Sequence, residues 1–303
     1  MSYDYGNARV AAMRGRLLGG TDLRALAEAP DAFAFIATLE RSPDWRPVFH
    51  EVAPLGAEPG AAAEAAIERH RGERLGLLPR LYDDTDRRLV EALVLGLDQE
   101  RVLAVLRRRR GGESAESIGA TIVRGALLDA EALGRLARAP FPALIDVIAS
   151  TGLIGREDRA KLVDAASDRS RPEVFEAAFT AACDRARDRR ADGRGTDQEL
   201  VRQTLAHERT DRARIVDELR DNGPLAASLA ERAAALERFD DLARRGRRHP
   251  LGVGTVIGYI AALEAQAVRL RAVLARVRAE WPVDALDPYL GRSGGRRWPA
   301  LSS

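Results

Sequence analysis

The stretch PLGVGTVIGYIAALEAQAVRLRAVLARV, residues 250 to 277, decides how this chain folds. Val256, Ile260, Leu263, Ala267, Leu270, Leu274 and Val277 recur at intervals of 4-3-4-3-4-3, a continuous apolar stripe, while Glu264, Arg269, Arg276 and Arg278 fall off it. The pattern predicts a long amphipathic helix. Pro250 and the small residues Gly252, Gly254 and Gly258 mark its start, where glycine lets a neighbouring backbone come close, and Trp281-Pro282 marks its end. One helix cannot hide such a stripe alone, so other helices must cover it.

The rest of the composition agrees. The chain has 303 residues, enough for two or three domains. Alanine, leucine, arginine and glutamate dominate, aromatic residues make up only 5%, and runs of alternating β-branched residues are missing, which predicts an all-α protein. Charged residues reach 31% but nearly cancel, to +2, which describes interleaved solvated faces rather than a nucleic-acid footprint. Lys161 is the only lysine, so the positive charge is almost all arginine. A single cysteine, Cys183, rules out an internal disulfide and a cysteine-based zinc site, and fits a reducing cytosol. The uncharged run Leu251 to Leu263 has 13 residues, short of the roughly 20 that span a bilayer. Ser2, Tyr3 and Asp4 lack the basic-then-apolar order of a signal peptide. A soluble chain is expected.

Outward from the deciding stretch, the periodicity predicts a helix over residues 7 to 18 stopped at Gly19-Gly20, a second over Leu23 to Ala29 capped by Thr21 or Asp22, and a third carrying Phe33, Phe35, Ile36 and Leu39. Ser42 to Pro59 contains four prolines and reads as a loop or short turns. Helices follow at Ala61 to Leu78 and Asp86 to Arg110, then shorter ones at Ser117 to Val123, Ala130 to Ala139, Pro142 to Thr151 and Arg156 to Asp168. Pro172 to Arg190, Gln198 to Arg220 and Leu225 to Arg245 are long again.

Superposing the long helices exposes a repeated core. Asp98-x-x-Arg101-Val102-x-x-Val105-Leu106 matches Asp211-x-x-Arg214-Ile215-x-x-Glu218-Leu219, and both match Gln266-x-x-Arg269-Leu270-x-x-Val273-Leu274. Each copy closes a hairpin with another long helix. Leu23-x-x-Leu26-Ala27-x-Ala29-Pro30 likewise matches Leu133-x-x-Leu136-Ala137-x-Ala139-Pro140 at an offset of 110. One hairpin with a few short helices is too small to bury its own stripe, so the copies must pack side by side. The expected fold is therefore all-α, with three pseudo-repeated helical-hairpin units at 1–110, 111–221 and 222–303.

Several stretches resemble the C-subunit family of bacterial and archaeal V/A-type (vacuolar-type) ATPases, whose eukaryotic counterpart is the V-ATPase d-subunit. They are Tyr5 with Asn7-Ala8-Arg9-Val10, Met13 through Leu17-Leu18, Pro250-Leu251-Gly252-Val253-Gly254 through Ile257-Gly258-Tyr259, then Glu264, Leu270 and Arg271, and the Gly125-Ala126-Leu127-Leu128 turn before a Leu-x-x-Leu helix. The likeness touches both ends and the middle, and none of these motifs is catalytic. The chain departs from the family in carrying Arg101, Arg214 and Arg269 where asparagine is usual, and in a middle unit that is trimmed. The resemblance implies a funnel-like bundle on the cytoplasmic face of the cell membrane, peripheral to it. There it would couple the central-shaft subunits to the proteolipid ring during ATP-linked proton or sodium transport. It implies no nucleotide, cofactor or metal, no nucleic acid and no small-molecule substrate.

Each chemistry-bearing group has a plainer reading beside it. Gly252-x-Gly254-x-x-x-Gly258 has the wrong spacing for a dinucleotide loop and follows a basic loop rather than a strand, so close helix packing is the better account. His50, His70, His207 and His249 are scattered; His207 with Glu208 and Asp211 could ligate a metal on one helix face, against the commoner reading of solvated surface. Asp83, Asp84 and Asp86 read as helix N-terminal charges favoured by the dipole. Arg107 to Arg110, and Arg244, Arg245, Arg247 and Arg248, are either a helix terminus and a solvated loop or a contact for acidic loops and lipid headgroups. Tyr5, Tyr259 and Trp281 read as core or edge packing, and Trp298, in the Gly- and Arg-rich tail, as loosely ordered. The alternatives to a rotary adaptor are a cytosolic helical-repeat scaffold for another protein, and an enzyme. No nucleophile, base and orienting group can be assembled for the latter.

Overall fold

A computed structural model of the chain describes residues 3–52, 58–167, 171–222 and 224–290. The structure is 79% helical and has no strand among the described residues, which settles the class as all-α. No helix there is long and apolar enough to cross a membrane.

The chain opens with α1 (Tyr3–Arg14), α2 (Gly20–Ala27), α3 (Ala32–Leu39) and α4 (Arg46–Val52). α5 (Pro59–Leu77) ends in a 3-10 turn, Leu78–Leu81, before the long α6 (Asp84–Arg110). Four shorter helices follow, α7 (Ala115–Thr121), α8 (Ala130–Arg138), α9 (Phe141–Ser150) and α10 (Arg159–Ser167). The long α11 (Pro172–Arg190), α12 (Thr196–Asn222), α13 (Pro224–Arg247) and α14 (Gly254–Ala279) come next, then the 3-10 turn Val283–Leu286 and the single turn α15 (Asp287–Leu290).

Local chemistry sets these bounds. Asp84 and Asp86 in the first turn of α6 and Arg107 to Arg110 in its last complement the helix dipole, and Gly112 leaves in the left-handed region at φ 83°. Asp31, Ser114 and Asp129 cap α3, α7 and α8 by accepting the N–H groups of Ala34, Ser117 and Ala132. At α2 the cap is reversed. Gly19 occupies the N-cap and donates its own N–H to the Asp22 carboxylate at 2.8 Å.

Three segments differ from the sequence-based reading. The first helix starts earlier and ends at Arg14 rather than reaching residue 18, and Gly15 to Leu18 form the turn whose last N–H is taken by Gln266. Within the proline-rich stretch from Ser42, α4 forms because Pro47 sits in its first turn, where no N–H is needed, and Trp45, Val48 and Phe49 have a core to enter. Residues 53–57 of that stretch lie outside the described residues. Beyond Trp281-Pro282 the chain turns helical again, because Leu286 and Tyr289 are buried.

The chain divides by packing into two compact units. Unit 1 comprises Met1–Arg9, Gly72–Thr210 and His249–Ile257, and unit 2 comprises Val10–Arg71, Asp211–Arg248 and Gly258–Ser303. This grouping by packing differs in kind from a grouping by sequence similarity, and each compact unit draws on all three of the stretches 1–110, 111–221 and 222–303.

In unit 1, α6 is central. Its Leu95, Val102, Val105 and Leu106 join Leu133 and Leu136 of α8, Leu144 and Ile148 of α9, Leu162 of α10, and Phe175 and Phe179 of α11 in one buried cluster. Each such side chain contributes about 1.5–3 kcal/mol by leaving water. In unit 2 that place belongs to α14. Its Leu270, Val273, Leu274 and Val277 bury against Leu23 and Leu26 of α2, Phe35 and Leu39 of α3, Trp45 and Phe49 of α4, and Ala66 and Ile67 of α5. Six of the seven stripe residues of α14 are buried; Ile260 is half-buried.

Candidate functional site

The most constrained polar geometry in unit 1 lies where α6 meets the turn ahead of α8. Asp98 is fully buried on α6, and its Oδ1 accepts the backbone N–H of Leu128 at 2.9 Å. The N–H of Leu127 donates to both of its carboxylate oxygens, at 3.1 and 3.0 Å. The turn closes on itself through Gly125 N to Leu128 O at 2.8 Å. Glycine is required there, since a Cβ on residue 125 would stand 2.0 Å from Asp98 Oδ1. Behind the turn, Gly72 and Gly76 of α5 offer a bare strip. A Cβ on either would meet the backbone oxygen of Arg124 at 2.7 Å or of Ala126 at 2.8 Å. Burial outweighs the N–H donors and the neighbouring Arg101 charge, and pushes the Asp98 carboxyl up to about 6.

Unit 2 contains a second arrangement of the same kind. Gln266, buried on α14, accepts the backbone N–H of Leu18 through Oε1 at 2.7 Å. Leu18 ends Gly15-Arg16-Leu17-Leu18 and leads into α2, as Leu128 ends Gly125-Ala126-Leu127-Leu128 and leads into α8. Each following helix is then held at its far end by an arginine. Arg109 of α6 donates to the carbonyls of Leu136 and Ala139 at 2.9 and 2.8 Å, and Arg276 of α14 donates to that of Ala29 at 3.1 Å. In both units a long helix thus holds the turn that enters a short helix by its N–H groups, and the stretch at that helix's far end by its carbonyls.

Two further polar groups tie the long helices together. In unit 1, Arg187 of α11 is buried, donates through Nε to the Ala92 carbonyl of α6 at 2.9 Å, and forks onto Glu208 of α12 at 2.8 and 2.6 Å. Gly96 leaves room for the guanidinium, whose nitrogens lie 3.4 and 3.5 Å from where its Cβ would be. In unit 2, α5 and α14 exchange reciprocal pairs, Arg71 to Glu264 at 2.8 Å and Arg271 to Glu64 at 2.6 Å, with Glu68 also on Arg271.

No protein-family model matches the chain, and no curated protein matches it in sequence.

The structure places the remaining sequence candidates one by one. Arg107 and Arg110 both bind Glu176, Arg108 binds Glu113 and Thr121, and Arg109 is held by carbonyls, so this basic run is engaged within unit 1. Arg244 and Arg245 pair with Asp241, and Arg247 and Arg248 are exposed. His70 is buried and stacks on Trp45 with ring centroids 4.1 Å apart. His207 has its neighbour Glu208 committed to Arg187, and Asp211 is buried 4.0 Å from Arg238. Among the described residues no three His, Cys, Asp or Glu side chains stand where they could hold a metal ion together.

Between Gly252 and Gly258, it is Gly252 that makes the close approach. A Cβ there would lie 2.4 Å from Asp197 Oδ1, and its carbonyl accepts Asn7 Nδ2 at 3.2 Å while Asn7 Oδ1 accepts the Tyr82 hydroxyl at 2.9 Å. Gly258 is unlike the expectation, its nearest neighbour being Arg14 Nη1 at 3.6 Å, an ordinary contact. Burial, then the charges of Asp197 and Asp86, raises the Tyr3 phenol far above its usual range, and burial likewise raises the Asp86 carboxyl. Tyr259 is buried, Tyr5 and Trp281 are exposed, and Trp298 lies outside the described residues.

Proposed function

We propose that this chain is a central-stalk adaptor of a rotary V/A-type ATPase, joining the shaft subunits to the proteolipid ring without catalytic chemistry of its own. On this reading it is a funnel-like bundle of three pseudo-repeated hairpin units with a trimmed middle one, peripheral to the cytoplasmic face of the membrane. The observation that carries the proposal is the pair of backbone clasps, Asp98 on Leu128 and Gln266 on Leu18. Asp98 and Gln266 occupy the same place in the repeated core. Leu18 and Leu128 occupy the same place in the repeated turn, 110 residues apart. Chance self-matching of an alanine- and leucine-rich composition gives no reason for matched positions to perform the same hydrogen-bonding task, whereas duplicated units do. Leu18 and the Gly125-to-Leu128 turn, which carry part of the family resemblance, take part in these contacts.

The mechanical side follows from the same geometry. Close-packed helices transmit strain, and holding the stretches at either end of a short helix by side chains of a long one removes the compliance a free loop would add. The reading is tested by co-purification at low salt with the shaft subunits and with the detergent-solubilised proteolipid ring. Retention on both supports it. Retention on neither, with capture of an unrelated cytosolic protein instead, favours the helical-repeat scaffold.

A further inference from the structure

Unit 2 exposes three large apolar side chains in two short stretches that one arginine draws together. Phe33 is 70% exposed at the start of α3, and Trp281 and Val283 are 42% and 36% exposed beyond the end of α14. Arg276 donates to the Ala29 carbonyl at 3.1 Å and through Nε to the Trp281 carbonyl at 2.6 Å, so the two stretches leave the same guanidinium. Both carry carboxylates on either side of a proline. Glu28, Pro30 and Asp31 precede Phe33, while Glu280, Pro282 and Asp284 bracket Trp281 and Val283, and all four acidic residues are exposed. Arg278, the nearest cation in sequence, is turned away, with its Nε 2.9 Å from where a Cβ on Gly60 would be and its charge acting on Glu58. Beneath the stretches, Leu286 and Tyr289 are buried in the same core as Leu23 and Leu26, which fixes the backbone that presents them.

We infer that this face is a docking surface for a basic segment of a protein partner that inserts an apolar anchor between Phe33, Trp281 and Val283. Aromatic side chains standing in water on a fixed backbone are what interface centres are made of, because they bury much area at little entropic cost. The rim selects the occupant: four carboxylates attract arginine and lysine and repel anionic lipid headgroups and phosphates. The inference stands on unit 2 alone and does not depend on the rotary-ATPase reading.

The test uses the full chain and a fluorescently labelled amphipathic Leu/Arg helical peptide, read by anisotropy, with a Leu/Glu peptide of the same length beside it. The Leu/Arg peptide binds, loses affinity at least about tenfold with Trp281→Ser, Phe33→Ser or the pair Glu28→Arg and Asp284→Arg, and weakens with added salt. The Leu/Glu peptide does not bind. Because every substituted side chain is exposed, circular dichroism of the variants stays that of the parent. Unchanged affinity in these variants, or equal binding of the Leu/Glu peptide, overturns the proposal. So does a dimer in sedimentation that Phe33→Ser dissolves, which gives the face to a second copy, and so does Trp281-dependent binding to phosphatidylserine vesicles.

Discussion

Gln266 holds the Leu18 backbone N–H at 2.7 Å from inside the core of unit 2, on a helix 248 residues away in sequence. Replacing it with Leu keeps the bulk and removes the acceptor, stranding that N–H. An unmade hydrogen bond at a buried group costs about 1–3 kcal/mol; Leu18 is partly buried, so Gln266→Leu lowers the stability measured by urea unfolding by about 1 kcal/mol, the lower end of that range. A change within about 0.5 kcal/mol, the range of neutral surface substitutions, would show that the bond carries no load.

Asp98 does the corresponding work with a carboxylate, and this makes its clasp sensitive to pH. Burial raises its folded-state value from 3.8 to about 6, so the folded chain binds the proton more tightly than the unfolded chain. The stability Asp98 contributes is therefore fully present below about pH 4 and is lost as pH rises through about 6. Asp98→Asn removes this dependence. Subtracting its unfolding free energy from that of the parent, pH by pH, isolates the effect from other carboxylates such as Glu113 and Glu176, whose arginine partners pull them the opposite way. The difference falls across pH 4 to 6.5; a flat difference means the carboxyl titrates normally.

Gly76→Ala and Gly258→Ala change stability in opposite directions. Alanine at either helical position gains up to about 1 kcal/mol of intrinsic helix propensity. At residue 76 the new methyl lies 2.8 Å from the Ala126 carbonyl oxygen, and moving that backbone disturbs the Asp98 clasp; overpacking of this kind costs about 1–3 kcal/mol. At residue 258 the nearest atom is a flexible arginine end at 3.6 Å. Melting temperature falls for Gly76→Ala and holds or rises for Gly258→Ala.

Breaking the Arg187–Glu208 pair costs more from the acidic side than from the basic one. The Arg187 side chain is only 2% exposed, whereas Glu208 is 41% exposed. Glu208→Ala leaves a buried guanidinium with the Ala92 carbonyl and the charge of Asp184. Losing one partner of a fully buried pair costs about 3–5 kcal/mol, and because Glu208 is partly open to water the loss here is about 1–3 kcal/mol. Arg187→Met fills similar space without a charge, and the remaining carboxylate reaches water. Chemical denaturation of the two variants ranks them, and a larger loss for Arg187→Met would reverse the assignment.

Helix periodicity made most of this fold legible beforehand. The bounds of α11 match the sequence reading at both ends because Pro172 and the basic Arg187, Arg189 and Arg190 punctuate them locally. The α4 helix was not legible, since its prolines signal a turn and only the burial of Trp45 and Phe49, a tertiary fact, overrides them. For the candidate site, the aligned positions Asp98 and Gln266 were visible as a pattern, yet their task was not. A buried acceptor and the N–H it serves lie 29 to 248 residues apart, beyond the reach of any local rule. The arginine run 107 to 110 was ambiguous for the same reason, because its partners Glu176, Leu136 and Ala139 come later in the chain.

The adaptor reading meets its most direct test in ATP-driven ion uptake by a V/A-type ATPase reconstituted in vesicles with and without this chain. With the chain present, uptake accompanies ATP hydrolysis; without it, the catalytic sector still hydrolyses ATP while uptake is lost. Equal uptake in both preparations would contradict the account.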